Sequence, residues 1–498
     1  MKNENDKALR LTGQAQLNKI SLDMVNRYPN YPTKAYLTKD YQTKDNMMTY
    51  HIPYSTITLE FDLLPGMRGR LVESKRPPPL ENVPAAVEAA LAQPVNAPPL
   101  RGLAHPGDTV CIVFTDATRA CPDALLIPPI LRELEQAGVR DEDITLLCGI
   151  GMHRPSTHAE KVAKLGQSVV DRYRVIDNEP QNPAALVDLG EVNGIPLSVH
   201  QAAYHADLLI ATGIVEPHQY AGYSGGRKTV AVGAAGEALI AYSHGPRFVD
   251  DPNTRLGQIE GNPFHEAITE AALRAGLRFI LNVVLDDNGR VVCVMAGEPV
   301  ETHRRLVEFA RAMYEAPIPQ QVDVAIGGAG FPKDANLYQA SRAPSYLHFA
   351  PTPVVRPGGY YITPARCQEG AGEGVGEQRF LTAMRDAPDV QAILDDARVC
   401  TVARANGYPP GGQRAFVMAK VLEQCQVIIV GSECPEIVAA CKMIPAETMD
   451  EALRIVAADL GSELDVLIVP HALLTLPVIT SVKPADHEFS TNKRMGAC

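Results

Sequence analysis

Short apolar segments rich in β-branched residues alternate with segments of helical periodicity from about residue 56 onward. Apolar residues recur every three or four positions over 123–138 and 261–276, as expected for helices. This alternation predicts an α/β fold with mostly parallel sheets and crossover helices. The predicted strands are 109–115, 144–150, 207–215, 322–328, 426–432 and 465–471.

One segment near the middle of the chain breaks this alternation. Within 279–297, two strand-like runs flank Asp287-Asn288-Gly289, which predicts a β-hairpin. We take the hairpin as the end of one α/β unit and predict a domain boundary near residue 300. The predicted organisation is an N-terminal extension over 1–55, α/β domains over 56–300 and 301–480, and a tail over 481–498.

The composition narrows the class of protein. The first 50 of the 498 residues are rich in Lys, Tyr and Asn, unlike the rest, and for this reason form the predicted extension. Asp+Glu (58) outnumber Lys+Arg (46), and the net charge of −12 argues against nucleic acid or an anionic membrane as partners. No apolar run reaches a spanning length, no apolar signal segment opens the chain, and the 10 Cys form no CxxC pair. We therefore expect a cytoplasmic protein without a disulfide scaffold.

Loops that follow strands are the candidate sites, because ligands of open α/β sheets bind beyond the carboxyl ends of the strands. After the first predicted strand, Asp116 and Arg119 lie three residues apart and are able to organise an anion site. Capping of the next helix is the structural alternative. After the second strand, His153 follows a Gly-x-Gly turn, where a histidine suits proton transfer, although a lone histidine is more often structural.

The third loop, 216–229, carries the densest set of chemically active residues. His218 and Lys228 lie within it, and His244 follows 16 residues after Lys228. The stretch 222–229 nearly matches a P-loop, but Arg227 stands where that motif requires glycine. A phosphate-cradling glycine turn and a nucleophilic lysine both remain open from the residues alone.

Two segments of the second predicted domain add candidates. Gln339 and Arg342 are three residues apart and would share one face of a helix. The segment 365–374 is a glycine-rich loop that follows a strand. Such a loop either approaches a ligand closely or is simply flexible, and flexibility is favoured.

Five of these segments, in this order, resemble the nickel-dependent lactate racemase family, which includes other 2-hydroxyacid racemases and epimerases. They are 115–119 (TDATR), 151–155 (GMHRP), 216–228 (EPHQYAGYSGGRK), 244–245 (HG) and 331–342 (FPKDANLYQASR). The resemblance implies two α/β domains with the active site in the cleft between them. It also implies a nickel-pincer nucleotide, a pyridinium mononucleotide that carries nickel, and enzymes that synthesise this cofactor as partners.

The same resemblance implies roles for individual residues around the cofactor. Lys228 is similar to the lysine that the family joins to the cofactor through a thioamide, and His244 to the protein ligand of nickel. The segment that would hold the nucleotide consists of Asp116, Ala117, Thr118 and Arg119. A pincer with three donor atoms leaves one position of a square plane, which one imidazole can fill.

Further roles concern catalysis and the substrate. His153 and His218 are similar to the paired acid/base histidines, and Gln339 and Arg342 to substrate contacts. Two histidines suit a racemase, because the two enantiomers place their hydroxyl groups differently. The lactate-active form of the family has Lys where this chain has Arg342, so we predict a 2-hydroxyacid other than lactate. The sequence does not distinguish a monomer from a homo-oligomer.

Two alternatives belong to other classes of protein. A zinc-dependent hydrolase would use His153, His218 and His244 as metal ligands, but their spacing matches no zinc motif. A non-catalytic nucleotide-binding protein of the same fold would be favoured if Lys228 or either of the paired histidines were absent, and all three are present.

Overall fold

The computed structural model describes residues 48–192, 194–403 and 412–480, without the side chains of 399–403. The predicted tail over 481–498 and residues 1–47 of the predicted extension lie outside these ranges. Within the described ranges, no helix is both long enough and apolar enough to cross a membrane.

Twenty strands form the sheets and hairpins of the described chain. In the first half they are β1 Tyr50–Tyr54, β2 Ile57–Phe61, β3 Arg68–Leu71, β4 Val110–Thr115, β5 Ile144–Gly149, β6 Arg174–Asp177, β7 Leu186–Val192, β8 Ile195–His200, β9 Leu208–Ile214, β10 Pro217–His218 and β11 Gly222–Tyr223. In the second half they are β12 Leu277–Leu285, β13 Val291–Gly297, β14 Glu315–Ile318, β15 Val322–Gly327, β16 Val355–Pro364, β17 Gln426–Val430, β18 Ile444–Ala446, β19 Asp465–Val469 and β20 Leu476–Ile479.

The α-helices lie mainly between these strands. The first ten are α1 Val83–Ala92, α2 Asp123–Gln136, α3 His158–Leu165, α4 Gln167–Arg172, α5 Gln201–Tyr204, α6 Gly226–Lys228, α7 Glu237–Ser243, α8 Pro246–Val249, α9 Pro263–Arg274 and α10 Pro299–Tyr314. The others are α11 Leu337–Ala340, α12 Arg342–His348, α13 Val375–Asp386, α14 Val390–Ala403, α15 Gly412–Leu422, α16 Pro435–Ala440 and α17 Met449–Leu460.

The first six-stranded sheet has the order β13-β12-β9-β4-β5-β6. Its strands pair in parallel, except that β12 and β13 form the predicted antiparallel hairpin. From β4 the chain runs to β5 and β6 on one side, while β9 and β12 lie on the other side. The boundary between β4 and β9 is therefore a topological switch point, where the loops beyond the strand ends diverge and leave a crevice for a ligand.

The second six-stranded sheet is parallel throughout, in the order β18-β17-β16-β15-β19-β3. The prediction that 56–300 forms one domain is corrected by β3, which belongs to this second sheet and pairs with β19. All four residues of β3 are exposed and two are arginines, so the strand lacks the apolar pattern that reveals strands in sequence. Arg68 Nε contacts Asp465 Oδ1 of β19 at 2.9 Å.

The end of the predicted N-terminal extension is also structured. β1 and β2 form an antiparallel hairpin, and Tyr50, Ile52 and Phe61 are buried in one core with residues of β15–β19 such as Val324. The Tyr54 hydroxyl donates to the Gly431 carbonyl at 2.5 Å. Residues 50–61 therefore pack on the second domain instead of belonging to a separate extension.

Candidate active site

A cavity of about 560 Å³ lies beyond the carboxyl ends of β4, β5 and β9, at the switch point of the first sheet. The loops after these three strands line it from the first domain, as expected from the sequence. Tyr338, Arg342, Tyr346 and Arg414 line it from the second domain. The cavity is therefore shared by both domains, and it contains His153, His218, Lys228 and His244.

The loop after β4 places Asp116 beside His153. The Nδ1 of His153 lies 2.6 Å from Asp116 Oδ2, and the Thr118 hydroxyl also donates to this carboxylate. Burial opposes the charged form of Asp116, but these hydrogen bonds and the charge of Arg119 outweigh it and lower the pKa of Asp116. The ionised carboxylate fixes the His153 proton on Nδ1 and leaves the Nε2 lone pair available as a base. Ala117 is exposed within the turn.

A buried network that the sequence did not reveal fixes this loop. Asp123 accepts hydrogen bonds from the hydroxyls of Thr115 and Thr212, both at 2.6 Å, and pairs with Lys164 at 3.0 Å. Lys164 also donates to the Arg119 and Cys121 carbonyls, at 3.0 and 2.7 Å. Because α3 supplies Lys164 and α2 supplies Asp123, packing of these helices sets the position of the 115–121 loop. Their separation in sequence gives no local signal.

The segment that leads to Lys228 is compact and dominated by glycine. Gly222 has φ +72°, and a Cβ there would lie 2.0 Å from the Gln258 carbonyl oxygen. Gly225 has φ +147°, and a Cβ there would lie 2.3 Å from His303 Cδ2. These two positions require glycine both for backbone conformation and for space.

Arg227 fastens this segment through two histidines that sequence reasoning did not select. Its Nη2 donates to His265 Nε2 at 3.0 Å and to His303 Nδ1 at 2.7 Å. The other ring nitrogens then carry the protons: His265 Nδ1 donates to the Ala221 carbonyl at 3.1 Å, and His303 Nε2 to the Ser224 carbonyl at 2.7 Å. Burial lowers the pKa of both histidines, followed by the charge of Arg227, so both stay neutral.

Lys228 itself is more readily deprotonated than an ordinary lysine. Burial in the cavity and, next, the charge of Arg119 lower its pKa to about 7, against the opposing influence of Glu216 and Asp116. An unprotonated lysine in a closed site is a nucleophile able to form a covalent bond. A π-helical turn over Thr229–Gly233 follows directly, a feature frequent at functional sites.

His244 and His218 have opposite hydrogen-bonding patterns. His244 Nδ1 lies 3.0 Å from the Ile240 carbonyl, which can only accept, so Nδ1 is protonated and the Nε2 lone pair is free. Burial and the charge of Lys228 lower the pKa of His244 to about 3. His218 Nδ1 instead accepts from the backbone N–H groups of Tyr220 and Ala221, at 3.2 and 3.1 Å, so its proton lies on Nε2. Burial and then Lys228 also lower the pKa of His218.

The second domain separates the two predicted substrate contacts. The helix expected to carry both is divided at Ser341 into α11, with Gln339, and α12, which begins at Arg342. Arg342 lines the cavity, whereas Gln339 is not among its lining residues in the described chain. The glycine-rich loop over 365–374 leads into α13, whose Val375 and Gly376 reach the cavity.

The three histidines of the zinc alternative do not form a metal site of their own. Within the described ranges, no group of three or more His, Cys, Asp or Glu side chains is placed to hold a metal ion. His218 accepts two backbone hydrogen bonds at Nδ1 and so carries its proton on Nε2, where it has no lone pair for a metal, whereas His153 and His244 each keep a free Nε2. The described side chains therefore offer two free imidazole nitrogens in this cavity, too few to hold a metal ion without further ligands.

The fold and the cavity define a two-domain α/β enzyme with its site between the domains, and known proteins identify its family. Residues 54–257 match the lactate racemase N-terminal domain, and residues 318–476 match the lactate racemase C-terminal domain. The lactate racemase of Lactiplantibacillus plantarum is 31% identical over 394 residues, which cover 78% of this chain and 89% of that protein. The chain belongs to the lactate racemase family. It is a racemase and hence an isomerase.

Further comparisons agree with this assignment. The lactate racemase of Thermoanaerobacterium thermosaccharolyticum is 30% identical over 429 residues, which cover 85% of this chain and 98% of that protein. The solved structure of its apoprotein superimposes with a TM-score of 0.76 at 28% identity, covering 86% of this chain and all of that one. A Thermotoga maritima protein of known structure, 19% identical, shares the fold with a TM-score of 0.56 over 80% of this chain and 98% of its own. The resemblance inferred from five short segments is confirmed.

Proposed function

We propose that this racemase inverts a 2-hydroxyacid by reversible hydride transfer to a nickel-pincer nucleotide attached to Lys228. The observation that supports this most directly is the meeting of three groups in one cavity. These groups are a lysine with its pKa lowered to about 7 and two imidazoles, His153 and His244, with free Nε2 atoms. The relatives named above are lactate racemases, which supports a 2-hydroxyacid as the substrate.

The residues present fit the cofactor. Lys228 offers a neutral amine for covalent attachment, and His244 offers an Nε2 lone pair whose direction is fixed by the Ile240 carbonyl. Arg119 lines the cavity close to Lys228 and suits the phosphate of a nucleotide. When bound, the cofactor supplies an acceptor for the Cα hydrogen as hydride, which avoids forming a dianion beside the substrate carboxylate.

The protein then handles the protons and the orientation of the substrate. His153 takes the hydroxyl proton at Nε2, and the Asp116 carboxylate at 2.6 Å stabilises the imidazolium that forms. With its proton on Nε2, His218 donates a hydrogen bond to the substrate oxygen. To act as a base for the other enantiomer, it must move its proton to Nδ1 and give up two backbone hydrogen bonds. Arg342 holds the carboxylate from the second domain.

The test needs protein made together with the cofactor-synthesis enzymes. We expect nickel in the purified protein, an intact mass above the sequence mass by a nucleotide-sized adduct, and racemisation of a 2-hydroxyacid followed by chiral chromatography. Lys228→Ala abolishes both adduct and activity. Lys333→Ala is the matched control, because burial and nearby arginines also lower the pKa of Lys333, to about 8, yet it does not line the cavity. An adduct that persists in Lys228→Ala would refute the assignment.

A further inference from the structure

We propose that the second-domain wall of the cavity binds a second anionic group, so that the substrate is a 2-hydroxy dicarboxylate. This inference rests on the proposed function for the role of the first carboxylate, and it depends on a pair of arginines that face the cavity. Arg342 begins α12, and Arg414 lies in α15.

Arg414 is an enclosed cation with spare hydrogen-bonding capacity. It is only 6% exposed, and its Nη1 donates to the Ser345 hydroxyl at 3.0 Å. The guanidinium carbon lies 5.7 Å from the centre of the Tyr338 ring, within the range of a cation–π contact. Its Nε is buried and has no hydrogen-bond partner. A buried guanidinium that lines a cavity with an unused donor is built to meet an acceptor from outside the protein.

Arg342 is partly buried and shares one feature with Arg414. Its Nε is also buried without a partner. Among the described residues, the hydrogen bond given for the Arg414 side chain goes to the Ser345 hydroxyl and not to a carboxylate, and the Nε atoms of both arginines have no partner. Burial raises the pKa of the Glu216 carboxyl group, and this effect exceeds the lowering by four nearby cations, Arg119, Lys228, Arg342 and Lys333. The cavity lining holds four arginines (Arg119, Arg342, Arg379 and Arg414) and Lys228 against the three carboxyl groups of Asp116, Glu216 and Glu237, so cationic groups are in excess.

The excess of positive charge distinguishes classes of substrate. A 2-hydroxy monocarboxylate compensates one arginine and leaves the other buried and unpaired, which is unfavourable. A second carboxylate satisfies both, and each planar guanidinium can meet a carboxylate in bidentate fashion. The nucleotide phosphate is not the ligand for Arg414 in this account, because the first-domain segment from Asp116 to Arg119 is proposed to hold the nucleotide.

The tyrosines around Arg414 support the same assignment. The charges of Arg414 and Arg342 and the hydroxyls of Tyr338 and Tyr346 all act on the buried Tyr220, whose pKa burial raises to about 12. These side chains therefore share one region of the site. Tyrosine hydroxyls are hydrogen-bond donors, so this region offers hydroxyls as well as guanidinium groups to an anion.

Calorimetric titration of the full chain with malate and lactate tests the inference, since the two acids differ by one carboxylate. We expect tighter binding of malate, and Arg414→Gln lowers the ratio of malate to lactate affinity roughly 10–100-fold. Arg414→Lys, which keeps the charge but loses the planar fork, lowers it less and guards against a folding defect in the first variant. Arg255→Gln is the matched control, because Arg255 also covers an aromatic ring, Phe349 at 4.9 Å, but lies outside the cavity lining.

An unchanged affinity ratio in both Arg414 variants overturns the inference. Racemisation assays on the cofactor-loaded enzyme separate this failure from failure of the proposed function. Turnover of lactate with an unchanged ratio refutes only the dicarboxylate subsite. Malate binding that depends on Arg414 without turnover of any 2-hydroxyacid supports the subsite and refutes the proposed reaction.

Discussion

The reactivity of Lys228 towards an acylating reagent is the most quantitative consequence of the site. With a pKa of about 7, about half of the Lys228 amines are neutral at pH 7. A lysine with the ordinary value near 10.4 is neutral in roughly one molecule in 2,500. Because only the neutral amine attacks, Lys228 should react roughly a thousand times faster than an unperturbed lysine of equal access.

Competitive labelling with trace acetic anhydride measures this directly. The protein is produced without the cofactor-synthesis enzymes, labelled between pH 5 and 11, and digested, and each lysine peptide is quantified by mass spectrometry. We expect the labelling of Lys228 to rise with a midpoint near pH 7. Arg119→Gln removes the largest electrostatic contribution after burial, so the midpoint moves upward and labelling at pH 7 falls.

Arg132→Gln is the control for this experiment, because Arg132 pairs with Glu88 on the surface and does not line the cavity. It should leave the midpoint of Lys228 unchanged. A midpoint for Lys228 near that of the exposed lysines, or no response to Arg119→Gln, would show that the amine is not activated by its surroundings.

The remaining predictions concern proton transfer, specificity and acid stability. Replacing His153 or His218 with Ala should slow racemisation roughly 10²–10⁴-fold. In a single turnover each variant should still oxidise one enantiomer, and the two variants should differ in which enantiomer that is. Loss of stability with normal specific activity would make that histidine structural. Arg342→Ala should weaken binding of the true substrate, raising its apparent dissociation constant about 10–150-fold. Arg342→Lys should raise the activity on lactate relative to the other substrates, and an unchanged ranking of substrates excludes a specificity role for Arg342. The pKa of His265 is lowered to about 4 by burial and Arg227, so the unfolded chain gains protons between roughly pH 6.5 and 4 that the folded chain does not. This difference in proton binding lowers the free energy of unfolding by about 3 kcal/mol as the pH falls through that range. In denaturant titrations, the free energy of unfolding of His265→Asn should therefore fall by about that much less over the same pH range.

The parts of the fold that follow from local pattern were predictable from the sequence. The buried strands such as β4, β9 and β15 are continuous apolar runs, and the hairpin β12–β13 is marked by its turn. The strand-end rule placed the three loops of the site, although nothing in a local pattern showed that β4 and β9 are neighbours. β3 escaped prediction because an exposed four-residue edge strand depends on its partner, β19, almost 400 positions later.

The supporting residues of the site were hidden for the same reason. Lys164, Arg227 and Arg414 acquire their roles from partners distant in the chain, and each looks like an ordinary surface charge in sequence. The protonation pattern of the histidines is also invisible in sequence, because it depends on which backbone groups reach each ring. His218 and His244 are the same residue type in the sequence, but in the fold they differ in which ring nitrogen carries the proton.

The fate of the hydrogen on the substrate Cα tests the central claim most directly. One enantiomer of a 2-hydroxyacid substrate, deuterated at C2, is incubated in H₂O with the cofactor-loaded enzyme, and the inverted product is analysed by mass spectrometry. Hydride transfer that returns the same hydrogen predicts an inverted product that retains deuterium at C2. An inverted product that has exchanged its deuterium for solvent hydrogen would mean that His153 or another base removes the Cα proton, and would contradict the mechanism.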